Sequence, residues 1–165
     1  MREDAEIARI GGDFLQTVYL RPPELSILRS KLVIRERIIK MRRVNEGAMM
    51  SLLHAYGVRA DGPVRSQATL RRVVLKMIRE AEREYGKSLR DLVMPLLNLS
   101  ASLRSEASRL NAELKAYARK DSTCRRLMAI PGVGVITAIS FIPALGDPGR
   151  FPTHEDVGYY LGLTP

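Results

Sequence analysis

Leu127-Met-Ala-Ile-Pro-Gly-Val-Gly-Val-Ile-Thr-Ala-Ile-Ser-Phe-Ile142 places two apolar helical segments on either side of Pro131-Gly132-Val133-Gly134. Pro131 ends the first segment, because proline cannot continue a helix and biases the preceding residue away from helical dihedrals. Gly132 and Gly134 admit positive φ and leave room for another backbone to come close. Val133 is expected to pack inward, and a second helix restarts near Val135. The pattern reads as a helix–hairpin–helix, whose bare N–H groups at the start of the second helix form a phosphate-binding arrangement. The same letters also describe an ordinary corner between two helices that binds nothing. The composition of the rest of the chain favours the first reading.

Upstream of this stretch the apolar residues recur at three- and four-residue steps, the period of a helix facing a core. A first long helix is expected over residues 24–56, carried by Leu25, Leu28, Leu32, Ile38, Ile39, Met49, Leu52, Leu53 and Tyr56. Pro22 or Pro23 suits its first turn, and Gly57 its end. Arg29, Lys31, Arg35, Arg37, Lys40, Arg42 and Arg43 occupy its other face. That face is either solvated charge or a phosphate contact. A second helix is expected over residues 66–85, closed by Gly86, and a third over residues 88–120. The third carries Leu92, Leu96, Leu99, Leu103, Ala107, Leu110, Leu114 and Tyr117, which is close to a heptad. Pro95 requires it either to start there or to kink. The leucine stripe serves oligomerisation, or packing of the first helix on the third as an antiparallel hairpin, or both.

Downstream, Asp121-Ser122 supplies an N-cap for a short helix over residues 124–129, and the hairpin follows. Gly146-Asp147-Pro-Gly-Arg-Phe-Pro reads as a loop, and Thr153 as the cap of a last helix over residues 155–161. At the other end, residues 3–12 read as a short helix closed by Gly11-Gly12, followed by a short extended segment at residues 17–20. The expected fold is all-α. A long antiparallel helical hairpin or coiled coil (residues 22–120) leads into a small helix–hairpin–helix domain (residues 121–165), after a short N-terminal segment (residues 1–21).

The 165 residues carry 27 Lys and Arg against 18 Asp and Glu, a net charge of +9. This excess favours a polyanion, nucleic acid before an anionic membrane surface. No window approaches the roughly 20 apolar residues of a membrane span. Aromatic residues make up 5% and tryptophan is absent, so a base-stacking platform is disfavoured and backbone electrostatics is the expected mode of contact. Pro131, Gly132, Val133, Gly134 and Thr137, with Arg125, Arg126 and Arg150, are the candidate DNA contacts. The single Cys124 excludes an internal disulfide and any CxxC metal site, and reads as a small residue near a helix start. The first residues lack the apolar core of a signal peptide, so a reducing cytoplasm is the expected location. His54 and His154 each lack a second ligand at i+4, which argues against zinc. Glu3, Asp4, Glu6 and Asp13 form the densest acidic group, and a short helix cannot by itself assemble a two-metal site.

The order of these features resembles a known family. A terminal D-A-x-I-A helix precedes a long basic helical hairpin. Then come L-x-x-I-P-G-V-G-x-x-T-A, G-D-x-x-R-F and a closing Y-L-G-L-T-P. This resembles the insertion-sequence transposases with an N-terminal DEDD, RuvC-like domain and a C-terminal transposase domain bearing a serine nucleophile, enzymes of RNA-guided recombination. The resemblance is most specific over residues 127–165, where Arg150-Phe151 and Gly162-Leu163-Thr164-Pro165 follow the hairpin in order. It implies that Asp4 is one retained metal-binding carboxylate of four, that magnesium serves the complete family, and that DNA and a guide RNA are partners. Met1 stands where the family's D-x-x-D-A pattern has its first acid, and the serine nucleophile lies beyond the G-L-x-P segment. Ser140, inside the hydrophobic second helix of the hairpin, is no substitute. The resemblance thus implies a truncated, catalytically incomplete transposase that needs no cofactor of its own, with homo-oligomerisation expected through the long helices. A non-enzymatic DNA-binding accessory protein with the same hairpin, and a helical scaffold without nucleic acid, are the competing classes.

Overall fold

The structure, a computed structural model, describes residues 20–162 apart from Asp61, Pro63, Arg65 and Lys87. Asp4 and nearly all of the 1–21 segment lie outside the described residues, as do Leu163, Thr164 and Pro165. Six helices follow in order: α1 Pro23–Ala55, α2 Gln67–Tyr85, α3 Arg90–Lys120, α4 Ser122–Met128, α5 Val135–Leu145 and α6 His154–Tyr160. A 3-10 turn, Pro148–Arg150, separates α5 from α6, and the described residues contain no strand. The all-α expectation holds, and so do most helix boundaries, because the signals that set them are local. Pro23 occupies the first turn of α1, where its missing N–H costs nothing. The Ser66 hydroxyl accepts the Thr69 amide and Gly86 closes α2 in the left-handed conformation at φ 64°. Thr153 and Asp156 cap α6 reciprocally. Pro95 lies inside α3, which starts at Arg90 and continues through it.

α1 and α3 lie antiparallel, as their cross-links show. Lys31 pairs with Glu113 at 2.9 Å, and Arg35 Nε donates to Asn111 Oδ1. Further along α1, Asn45 Nδ2 donates to the Leu96 carbonyl at 2.8 Å. Glu46 Oε1 accepts from Ser100 Oγ at 2.6 Å and from Arg104 Nε at 2.9 Å. Partner numbers fall along α3 as they rise along α1. Ser100 is fully buried, and the Glu46 and Arg104 side chains keep only 20% and 15% of their exposure. A slip of register would strand that pair without its counter-charge, so the polar seam specifies the alignment. Lys31, hydrogen-bonded to Glu113, holds that carboxyl below the usual carboxylate range, with Arg109 adding to the pull. The tie therefore favours the folded state above the carboxylate range and weakens as pH falls through it.

Two apolar cores flank this seam. One gathers Met49 and Leu53 of α1, Leu70, Val74, Met77, Ile78 and Ala81 of α2, and Val93 and Leu97 of α3. The other joins Leu28 of α1, Leu114 and Ala118 of α3, Cys124 of α4, and Ala138 and Ile139 of α5. The leucine stripe of α3 therefore divides. Leu114 faces the second core and Leu110 is also buried, while Leu92 and Leu99 stay 56% and 46% exposed. Val93, Leu97 and Ser100 take the inner positions instead.

Candidate nucleic-acid interface

The second core positions the turn between α4 and α5. Asp121 Oδ1 accepts the Cys124 amide at 2.7 Å and starts α4 immediately after α3. α4 ends as Ile130 N–H bonds the Leu127 carbonyl and Val133 N–H bonds the Ile130 carbonyl, each at 3.1 Å. Closing so tight a turn takes Gly132 to φ 85°, which an L side chain rarely adopts. Gly134 is extended at φ −85°, ψ 171° and is the N-cap of α5. Val133 between them is half-buried against the second core.

The first turn of α5 lacks a capping side chain, and its first backbone bond runs from Ala138 N–H to the Gly134 carbonyl. The amides of Val135, Ile136 and Thr137 thus point out of the helix end, where the dipole favours an anion. A Cβ built on Gly132 or Gly134 would meet nothing within 4 Å. Packing inside the chain leaves this space open, and at Gly134 neither packing nor dihedral demands glycine. Pro131, Gly132, Gly134 and Thr137 are all exposed.

Arg125 and Arg126 extend from the last turn of α4 and are exposed. Arg119 and Lys120, in the last turn of α3, are exposed as well and were not singled out by the sequence reading. Their signal was position: they stand immediately before the cap residue Asp121. From Arg119 to Gly134 the chain holds four cations and one acid, Asp121, whose carboxylate is engaged in capping. Ser140 turns its hydroxyl back to the Ile136 carbonyl at 2.8 Å. Cys124 is fully buried, and burial pushes its thiol up to about 11, so it remains a protonated core residue at neutral pH.

Arg150 is placed differently from the other candidates. Its guanidinium carbon lies 4.5 Å from the Phe151 ring centre and 4.4 Å from that of Tyr160. Nε and Nη2 are shielded from solvent. This cation–π sandwich fastens the 3-10 turn to α6. On α1 the basic face also divides. Arg29, Arg37, Lys40 and Arg43 are exposed, while Lys31 and Arg35 turn toward α3. Beside Arg37 and Lys40 a groove of about 760 Å³ is lined by Met41, Val44 and Ala48 of α1 and Leu99 and Leu103 of α3. Both histidines are exposed. Magnesium, which the resemblance implies for complete relatives, finds no set of three His, Cys, Asp or Glu ligands among the described residues. No helix among them is long and apolar enough to cross a membrane.

Residues 124–165 match the Transposase IS116/IS110/IS902 family. Over 135 residues the chain is 31% identical to the transposase for insertion sequence element IS1111A of Coxiella burnetii, covering 81% of this chain and 36% of that protein. It is 29% identical over 132 residues to the transposase for insertion sequence element IS1328 of Yersinia enterocolitica, covering 80% of this chain and 38% of that protein. The chain thus spans little more than a third of the length of these relatives. No solved structure matches it.

Proposed function

We propose that this chain, a member of the Transposase IS116/IS110/IS902 family through residues 124–165, binds DNA in the transposition of an insertion sequence and does not itself cut it. The observation that carries this reading is the uncapped start of α5, open at Gly134 and flanked by Arg119, Lys120, Arg125 and Arg126. In the helix–hairpin–helix role, the first-turn amides donate to one phosphate, and the Thr137 hydroxyl lies on the same turn. The four cations neutralise neighbouring phosphates. Such contacts read backbone and not sequence, so affinity falls steeply with salt. The outward cations of α1 that lie clear of the groove beside α3, Arg29 and Arg43, are the surface offered to a guide RNA. Against strand cleavage stands the Ser140 hydroxyl, which is committed to a backbone carbonyl.

The test is a titration of the purified chain with a duplex DNA at low salt. Binding is expected to be tighter than about 10⁻⁴ M, the weak end of non-specific affinity, with no strand cleavage. Absence of binding would overturn the DNA reading, and cleavage would overturn the division of labour.

Self-association is assigned to the groove between α1 and α3. Ile27, Ile34, Met41 and Ala48 recur at seven-residue steps on α1, and Met41 and Val44 are 56% and 65% exposed. A stripe with that repeat suits a second helix pair packed in coiled-coil fashion. Val44→Glu is expected to convert the wild-type oligomer to monomer in sedimentation velocity. A wild-type monomer, or an oligomer that survives the substitution, would remove the groove from consideration.

A further inference from the structure

We infer that α2 carries a second duplex-binding surface, a ridge of Arg72, Lys76, Arg79 and Arg83 that takes the phosphate backbone at the far end of the hairpin from α5. Steps of four, three and four residues put these side chains within an arc of about 60° on one helix face, in a row about 16 Å long. All four are exposed. The opposite face is Leu70, Val74, Met77, Ile78 and Ala81, all buried in the first core, so the ridge points directly into solvent. Lys76 is tied to Glu80 at 3.6 Å through an exposed i,i+4 pair, which is worth little and can exchange for a phosphate. Glu82 accepts the Ser88 hydroxyl and lies off the row. The three arginines are suited to bidentate contact with phosphate oxygens.

The surroundings of the row select the partner. The sole large apolar side chain exposed on α2 is Tyr85, at its very end and edge-on against Tyr56. The helix therefore has no apolar face with which to enter a membrane, and the ridge has no aromatic platform for unstacked bases. A straight row of cationic side chains carried on one helix suits the regular phosphates of a double helix. The two cores hold α1 at Leu28 and at Met49, which places this ridge about 30 Å along the helix axis from the α4–α5 end. The ridge is independent of the turn at Gly134, and the two contacts are separable by experiment.

The test compares wild type with R72A/R79A/R83A on a 30-base-pair DNA duplex and on an RNA duplex of the same sequence. The slope of log affinity against log salt on DNA is expected to fall by about 2.7, at about 0.9 per lost phosphate contact. The melting temperature is expected to stay unchanged, since all three side chains are in solvent. A fall on RNA alone would keep the ridge and name RNA as its duplex. Unchanged slopes on both duplexes would overturn it. Repeating the comparison in a Gly134→Val background keeps failure of the α5 contact distinct from failure of the ridge, because the slope difference between ridge variant and parent is expected in both backgrounds.

Discussion

Gly134→Val is expected to lower affinity for duplex DNA by about a hundredfold, the loss of two charge-assisted hydrogen bonds from backbone amides to a phosphate. The fold is expected to persist. At φ −85° and ψ 171° a valine is unstrained, and its Cβ meets nothing within 4 Å. The conformational cost is limited to a poorer N-cap, about 1 kcal/mol. The added isopropyl group stands where a phosphate would approach the amides of Val135, Ile136 and Thr137. Gly132→Val differs, since φ 85° at that position is strained for any side chain, so both folding and binding suffer. Fluorescence anisotropy with a labelled duplex, together with far-ultraviolet circular dichroism, reads the two effects separately. Full affinity in a folded Gly134→Val protein would move the contact away from the start of α5.

Leu114→Ala is expected to destabilise the chain by about 2–5 kcal/mol, whereas Leu92→Ala costs within about 0.5 kcal/mol. Both leucines belong to the same stripe on α3, and burial separates them. Leu114 is 1% exposed and meets Leu28, Ala118, Cys124, Ala138 and Ile139, so its removal leaves a cavity shared by α1, α3, α4 and α5. Leu92 is 56% exposed and leaves water behind. Because the second core is what seats α5 on the hairpin, Leu114→Ala is also expected to weaken DNA binding. Urea denaturation of the two variants checks the contrast, and equal losses would show that the packing assigned to α3 is wrong.

The contrast between these leucines marks how far the chain could be read without its structure. Ser66, Asp121 and Thr153 announced helix starts because each side chain bonds an amide three residues on, and Gly86 announced a helix end because the left-handed dihedral there suits glycine. Gly132 announced the turn because the required dihedral belongs to one residue. The partners of a helix face are not encoded at that range. A stripe at three- and four-residue steps states that something apolar faces it, and not whether that is α1 or a second copy. Lys31 and Arg35 looked like members of one basic face until Glu113 and Asn111, far along the chain, drew them against α3. The setting of Arg150 was equally out of reach, because Tyr160, which packs over its guanidinium, is brought there by α6.

The sequence by itself determined the helices, their caps, the glycine turn and the excess of positive charge, since each depends on neighbours within about one helical turn. The tertiary structure alone decided which leucines are core, which cations are committed to the seam, and that Gly134 opens onto empty space. It also turned α2 so that Arg72, Lys76, Arg79 and Arg83 face solvent, because burying Val74, Met77 and Ala81 leaves that helix a single outward side. Those outcomes depend on contacts between residues far apart in the chain, which helical periodicity constrains but cannot assign.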